Sequence, residues 1–439
     1  MNKLSDTSGA ERRVIKVDAL ARVEGEGALS VRIADGEIKD VKFRIFEPPR
    51  FFEALLQGRH HTDAPDITAR ICGICPMAYI VGASQAMEDA LGIEMPVDLE
   101  DLRRLIYCGE WIESHVLHAF LLHAPDFLGY QDSIQLSQDH PDVVRKALAL
   151  KKTGNKILEV IGGRAIHPVN MGVGGFHKAP SVATVRSMIP DLEEGLATSQ
   201  ELTQVVAGFP MPDFDYDYTC VSLRHETLYP IDRGRIISNR GLEIPVAAFE
   251  DHFDEEHVAH SNALRGLMNG TDAPYLVGPI ARYNNNFDYL SDLAKETAEK
   301  AGLGREVRNP FQSILVRMVE TTYAFEEALR LAKAYTGVAQ SAITAPNRAG
   351  RGMGCTEAPR GICYHRYDLD DEGLITEARI VPPTSQNQRQ MERDLWGVVE
   401  RNMTLDDEAL KWVCEQSIRN YDPCISCATH FLNLTVIRD

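Results

Sequence analysis

The chain has no run of 18 apolar residues, and its start, MNKLSDTSGAERRV, carries no apolar stretch. A membrane-spanning helix needs about 20 such residues and a secretory leader needs an apolar core. Neither a span nor export is expected, and the expected location is the cytoplasm. Positive charge is also in short supply, with 46 Lys and Arg against 64 Asp and Glu and a formal net charge of −18. Nucleic-acid binding needs a basic footprint, so no nucleic-acid partner is expected. Fixed-period repeats, low-complexity segments and a GxGxxG turn after a strand are all missing, which excludes a solenoid and a dinucleotide site of that type. Cysteine is sparse, at nine in 439 residues. In a long chain of ordinary globular composition that count suggests reduced thiols, so paired cysteines should mean metal or redox chemistry.

Hydrophobic periodicity predicts an α+β protein, a mostly helical core with strand-rich margins. VIKVDAL and ALSVRIADGEIKDVKFRIF read as strands, with ADGE as a hairpin turn. YIVGASQAMEDALG puts Ile80, Ser84, Met87 and Leu91 on one helical face and closes at Gly92. Helices are expected from Asp98 as N-cap to about 123, from 142 to 161, from 183 to 207 and from 252 to 337, the last interrupted by TDAPYLVGPIARYNNN. Short strands are expected over 217–248 and in CYHRYDLDDEGLITEARIV, with two final helices near 387–400 and 405–420. The expected division is a strand-rich region 1–62, a helical core 63–215, a strand-rich insertion 216–250, helices 251–337, mixed strands 338–386, C-terminal helices 387–430 and a tail 431–439.

What is there is a CxxC near each end. RICGIC supplies Cys72 and Cys75; DPCISCATH supplies Cys424 and Cys427, with His430 three residues on. Two soft thiolates at i and i+3 can converge on one metal. Zinc clips usually carry their pairs close together, because the metal replaces a core in a small module. Here about 350 residues intervene, and so long a chain needs no staple. A four-cysteine iron–sulfur cluster fits about as well as zinc. A catalytic metal held between the two ends fits better than either. His115 and His118 read as core histidines rather than ligands, and Cys108, Cys220, Cys355, Cys363 and Cys414 as buried apolar thiols.

RICGIC followed by ASQAMEDALG, together with DPCISCATH, resembles the large subunit of [NiFe] hydrogenases. RVEG (22–25), RFFE (50–53), GGRAIHP (162–168), GPIAR (278–282), EAPRG (357–361) and PPTSQN (382–387) occur in the family's order, so the resemblance covers nearly the whole chain. Tyr79 stands where a histidine often does, and Glu26 likewise. Both departures resemble the cytoplasmic bidirectional branch. The resemblance implies nickel on Cys72, Cys75, Cys424 and Cys427, with Cys75 and Cys427 also binding an iron that carries carbon monoxide and two cyanides. It implies Arg360, Pro383 and Thr384 beside that iron. A magnesium ion is implied on Glu53, His430 and the carbonyl of Ile380. Glu24 is the candidate first proton relay from Cys424, with Glu26 the next suspect.

Partners are implied too: an iron–sulfur small subunit, since this chain has no further closely spaced cysteine cluster, and further subunits serving NAD(P), deazaflavin or polysulfide. Maturation proteins and an endopeptidase cutting after His430 are implied as well. The quinone-site subunit of respiratory complex I resembles this fold but lacks the four cysteines. A zinc-stabilised scaffold without catalysis is the other alternative.

Overall fold

Alternating apolar residues build the first sheet of the computed structural model, which describes residues 12–271 and 273–430. Strands Arg12–Val17, Gly27–Ala34 and Glu37–Ile45 pair antiparallel in that order. Their inward residues Ile15, Val31 and Phe43 are buried. The ADGE turn places Asp35 and Gly36 at φ 55° and 73°, the left-handed pair that a tight hairpin requires.

The middle of the molecule is helical, as expected. Its long helices are Pro76–Leu91, Val97–Val116, Pro141–Gly162, Ile189–Ala207 and Ser313–Ala334. The first is buried on almost every side and ends at Gly92 with φ 63°. It lies directly under a three-stranded antiparallel sheet, Gly350–Ala358, Gly361–Leu369 and Ile375–Val381. A Cβ on Gly350, Gly352 or Gly354 would strike the helix main chain at Ala90, Ala86 or Gly82. Glycine is what lets strand and helix touch backbone to backbone. Helices Pro383–Arg401 and Asp407–Arg419 then lead into the second cysteine motif. All nine cysteines are buried free thiols. Among the described residues, no helix is long and apolar enough to cross a membrane.

Four local expectations need correction. The stretch after 252 is not helical: Phe253–His257 and Leu264–Met268 form an antiparallel hairpin. The segment expected to interrupt the helices contains one, Pro279–Asn286, begun by a proline in its first turn. The N-cap of the 97–116 helix is Pro96, while Asp98 inside the first turn accepts from the N–H groups of Leu99 and Ala339. That helix passes into a π-helical turn, Leu117–His123, a distortion that turns His118 and His123 toward the C-terminal segment.

Candidate metal centre

The first cysteine loop sits at a helix start. Cys75 is the N-cap of Pro76–Leu91, but its side chain caps nothing. Glu110 of the neighbouring helix does so instead, accepting from Met77 N at 2.5 Å and Ala78 N at 3.2 Å. The second loop is also a helix start: Cys424 caps the short turn Ile425–Ala428. Its own N–H donates to Thr384 Oγ1 at 3.0 Å, while Ile425 N donates to the Glu24 carbonyl at 3.0 Å. Arg50 ties the two loops together. Its Nη2 donates to the carbonyl of Ile71 at 2.6 Å and to that of Ser426, so one guanidinium spans residues at opposite ends of the chain.

These supports bring the four sulfurs into one buried cluster, all within 4.8 Å of one another. Cys424 and Cys427 are 2.6 Å apart, Cys72 and Cys424 3.4 Å, and Cys75 and Cys427 3.6 Å. The thiols do not share one ionisation state. Hydrogen bonds from Cys424, Cys427 and Cys75 hold Cys72 well below its ordinary pKa. Burial pushes Cys424 well up, and its sulfur neighbours add to this. Only a cation in their midst would ionise all four, and soft sulfur donors suit nickel or a similar metal.

Arg360 approaches from the sheet side. It is 2 % exposed, with Nε donating to the Asp422 carbonyl at 2.6 Å and Nη2 to Asp422 Oδ1 at 3.1 Å. Burial disfavours its charge, but Asp422 and the Cys424, Cys75 and Cys72 sulfurs more than compensate. Its Nη1 is buried with no partner. A buried guanidinium nitrogen without an acceptor is costly, and a group bearing acceptors at the centre would remove that cost. Pro383 opens the helix whose next residue is Thr384, both buried. The site therefore fits a metal group that carries additional acceptors.

Glu24 lies on the opposite flank. Its Oε2 accepts from Cys424 Sγ at 3.1 Å and from Ser426 N at 3.0 Å. Burial raises its pKa, and the charge of Cys72 raises it further. Glu26 is exposed and makes no contact with the cysteines among its described bonds. His430 is buried below the centre, its Nδ1 2.6 Å from the Cys427 carbonyl and Nε2 2.5 Å from that of Ile380. Glu53 Oε1 is 3.6 Å from His430 Nε2 and accepts from Ile380 N at 2.7 Å. Both ring nitrogens thus face carbonyl oxygens, which suits an imidazolium, and the pKa is raised, with Glu53 outweighing burial. Glu255, which sequence reasoning missed, sits in the same cluster; burial pushes it up to about 7.

The model of the Nickel-dependent hydrogenase family matches residues 50–142 and 271–430. Sulfhydrogenase 1 subunit alpha of Pyrococcus furiosus is 34% identical over 427 residues, covering 96% of this chain and 98% of that protein. The chain belongs to the nickel-dependent hydrogenase family. The NAD-reducing hydrogenase HoxS subunit beta of Cupriavidus necator is 28% identical over 96% of this chain and 95% of its own. Among solved structures, an NAD+-reducing [NiFe]-hydrogenase in the H2-reduced state superposes with a TM-score of 0.86 at 25% identity, covering 95% of this chain and 99% of that one. The chain is thus a hydrogenase large subunit, an oxidoreductase, and the complex I alternative falls away.

Several motif residues of this hydrogenase owe their place to support rather than chemistry. Arg22 of RVEG bonds the Leu122 carbonyl at 2.7 Å and Asp126 at 2.5 Å. His167 of GGRAIHP lies 2.7 Å from the Ala69 carbonyl. Arg282 of GPIAR and Glu357 of EAPRG pair with each other at 2.9 Å, fully buried. His118 contacts the Arg419 carbonyl at 2.7 Å, and His115 is 2.9 Å from Glu320. Arg50 opens the RFFE motif, but its hold on both cysteine loops is not evident from that motif, and Glu110 carries no local sequence signal, since each acts on a distant segment.

Proposed function

We propose that this chain is the catalytic subunit of a [NiFe] hydrogenase that cleaves dihydrogen reversibly into protons and electrons. Cys72, Cys75, Cys424 and Cys427 would hold nickel, and Cys75 and Cys427 would share an iron carrying carbon monoxide and two cyanides. The observation that carries the reading is the convergence of four buried sulfurs with Glu24 3.1 Å from Cys424. When bound, the metal group supplies a redox centre with an open position for dihydrogen. Arg360 Nη1 would donate to a cyanide, with Thr384 and Pro383 closing the same side. A proton on Cys424 Sγ has Glu24 Oε2 as its nearest acceptor. Burial keeps that carboxylate basic enough to accept it.

Glu53, the Ile380 carbonyl and His430, the last as a neutral imidazole whose proton the ion would displace, would hold magnesium, with Glu255 at hand; a hard cation suits the carboxylates and the carbonyl. Electrons would leave toward an iron–sulfur small subunit. The Cys72–Cys75 turn supports an exit there: Gly73 is exposed, and nearby Ile166 and Val169 are 60% and 45% exposed apolar residues. Further subunits would pass the electrons to NAD(P), deazaflavin or polysulfide in the cytoplasm.

Maturation proteins would insert the metals, and an endopeptidase would then cut after His430. Residues 431–439 lie outside the described residues; His430, the residue at the proposed cut, is itself 2 % exposed. Intact-mass spectrometry of active enzyme should find a chain ending at His430; full activity in a chain ending at Asp439 would refute the processing. The activity itself is tested by hydrogen–deuterium exchange with anaerobically purified enzyme, and no exchange in nickel-loaded protein would refute the reading.

A further inference from the structure

Asp422 has a left-handed backbone, at φ 52°, a conformation that crowds any residue bearing a Cβ. Such a residue keeps it only where its surroundings over-determine it. The conformation turns both kinds of acceptor on Asp422 onto one guanidinium. The carbonyl takes Arg360 Nε at 2.6 Å, and the carboxylate oxygens lie 3.1 Å from Nη2 and from Nε. Two of the three arginine nitrogens are thereby fixed, and Nη1 alone is left without a partner. Where Nη1 points therefore depends on what holds Asp422.

The main chain around Asp422 is tied down first. Its own N–H donates to the Arg419 carbonyl at 3.0 Å, and Ser313 Oγ donates to the Asn420 carbonyl at 2.6 Å. Arg317 Nη2 reaches the Tyr421 carbonyl only at 3.3 Å. The firmer side-chain hold is the Tyr421 hydroxyl, which donates to Asp394 Oδ2 at 2.7 Å. Asp394 is fully buried in the Pro383–Arg401 helix. Its Oδ2 also takes the Tyr218 hydroxyl at 2.7 Å, and its Oδ1 takes Gln390 Nε2 at 2.8 Å. The same helix begins with Thr384, whose Oγ1 accepts the Cys424 N–H at 3.0 Å. One rigid element thus grips the turn on both sides of Asp422.

We infer that Asp394, acting through Tyr421, is a positioning residue that keeps Asp422 left-handed and so aims Arg360 Nη1 at the metal group. The inference rests on the reading above that Arg360 donates to a cyanide on iron. Tyr218 and Tyr421 make equal bonds to one Asp394 oxygen, but only Tyr421 adjoins Asp422. The two bonds therefore separate positioning from packing.

The test compares Tyr421→Phe with Tyr218→Phe in the anaerobically purified holoenzyme, each losing one hydroxyl. Tyr421→Phe should keep nickel and iron, broaden and shift the cyanide stretching bands, and lower isotope exchange per nickel by up to about 10²-fold, the cost of a misplaced group. Tyr218→Phe should leave bands and exchange at wild type. Asp394→Ala should reproduce the Tyr421→Phe bands. Asp394→Asn should restore them, since it keeps an acceptor for Tyr421 and its amide can meet Gln390 Oε1, now buried without a partner. Diffraction reads the geometry whether or not metals are bound: in Tyr421→Phe, Asp422 should leave the left-handed region and Arg360 Nε should lose its carbonyl. Unchanged geometry or bands in Tyr421→Phe would overturn the inference, as would equal shifts in Tyr218→Phe or loss of the metals. Cyanide bands missing from the wild-type enzyme would count against the functional reading alone, and diffraction then decides the role of Asp394.

Discussion

The thiolate centre and the Arg282 network are both fully buried, and both are assembled from segments far apart in sequence. They differ in whether the protein alone satisfies them. Arg282 donates to Glu320 through Nε and Nη2, each at 2.9 Å, to Glu357 at 2.9 Å and to the carbonyls of Ala358 and Pro359. Its face lies over the Trp111 ring at 4.5 Å. Glu320 also takes the Tyr229 hydroxyl at 2.8 Å. Burial works against Glu320, yet the two-pronged contact with Arg282 holds it down at about 2. Glu357 receives one arginine nitrogen and the Leu223 N–H, and burial wins, taking it to about 7. Every side-chain nitrogen of Arg282 and every carboxylate oxygen of Glu320 and Glu357 has a partner. Around the cysteines, by contrast, Arg360 Nη1 and the Tyr79 hydroxyl are buried without hydrogen-bond partners, and the four thiols cannot all ionise together. Unmet donors beside a cluster of metal-ligating thiols mark where a missing group binds.

The largest effect is expected at the cysteines. Replacing any of Cys72, Cys75, Cys424 or Cys427 by serine should remove nickel or abolish hydrogen turnover, because a hydroxyl is a hard and poorly ionised substitute for a thiolate. The fold should survive, since serine is close to cysteine in size and the two loops are also held by Arg50 and Glu110. Elemental analysis with isotope exchange checks this, and normal exchange in two such variants would sink the ligand assignment. Glu24→Gln should keep both metals and lose about 10²–10⁴-fold in exchange, the usual worth of a positioned acid–base group. Unchanged exchange would send the proton route elsewhere, beginning with Glu26.

The closed network should respond in the opposite way. Arg282→Met leaves two buried carboxylates without their cation and should cost about 3–5 kcal/mol of stability. Denaturant unfolding should register that loss, while exchange per bound nickel at low temperature changes little. If activity per nickel collapsed while stability held, the distinction between the two regions would fail.

The smallest effect concerns His115, beside Glu320 at 2.9 Å but out of line for a hydrogen bond. Burial pushes its pKa down to about 4, with Glu320 offsetting only part. The unfolded chain, at the ordinary value near 6.5, therefore binds a proton first as pH falls. This contribution to stability is complete above pH 6.5 and drains away toward pH 4, by about 1 kcal/mol between pH 6.5 and 5.5. Melting curves of His115→Asn should lack that part of the acid sensitivity; an identical slope in both proteins would refute it.

The same contrast explains what could be read from the sequence. Two CxxC motifs announce themselves because ligand chemistry needs particular residue types at fixed local spacing, and Glu24, Glu53, Arg360, Thr384 and His430 followed through the motifs around them. Glu110 and Glu255 carry no such motif, and the role of Arg50, although it opens RFFE, stayed hidden, because each works on a segment remote in sequence. The hairpin at 253–268 was mistaken for helix because Phe253–His257 has only Phe253 buried, leaving no alternation to betray a strand. Pro279–Asn286 looked like a loop because its asparagines are polar. They are spent on tertiary bonds, Asn286 to the Leu223 carbonyl and Asn284 to that of Val307. The π-helical turn at Leu117–His123 depends on packing against the C-terminal segment, which no local pattern encodes.

The buried thiol cluster is proposed to hold nickel and iron. The most direct measurement is metal analysis, with infrared spectroscopy, of the chain purified without oxygen. The account predicts about one nickel per chain, as suits a single four-thiolate site, together with the stretching bands of carbon monoxide and cyanide. Zinc in place of nickel, with those bands absent, would contradict it and favour a scaffold.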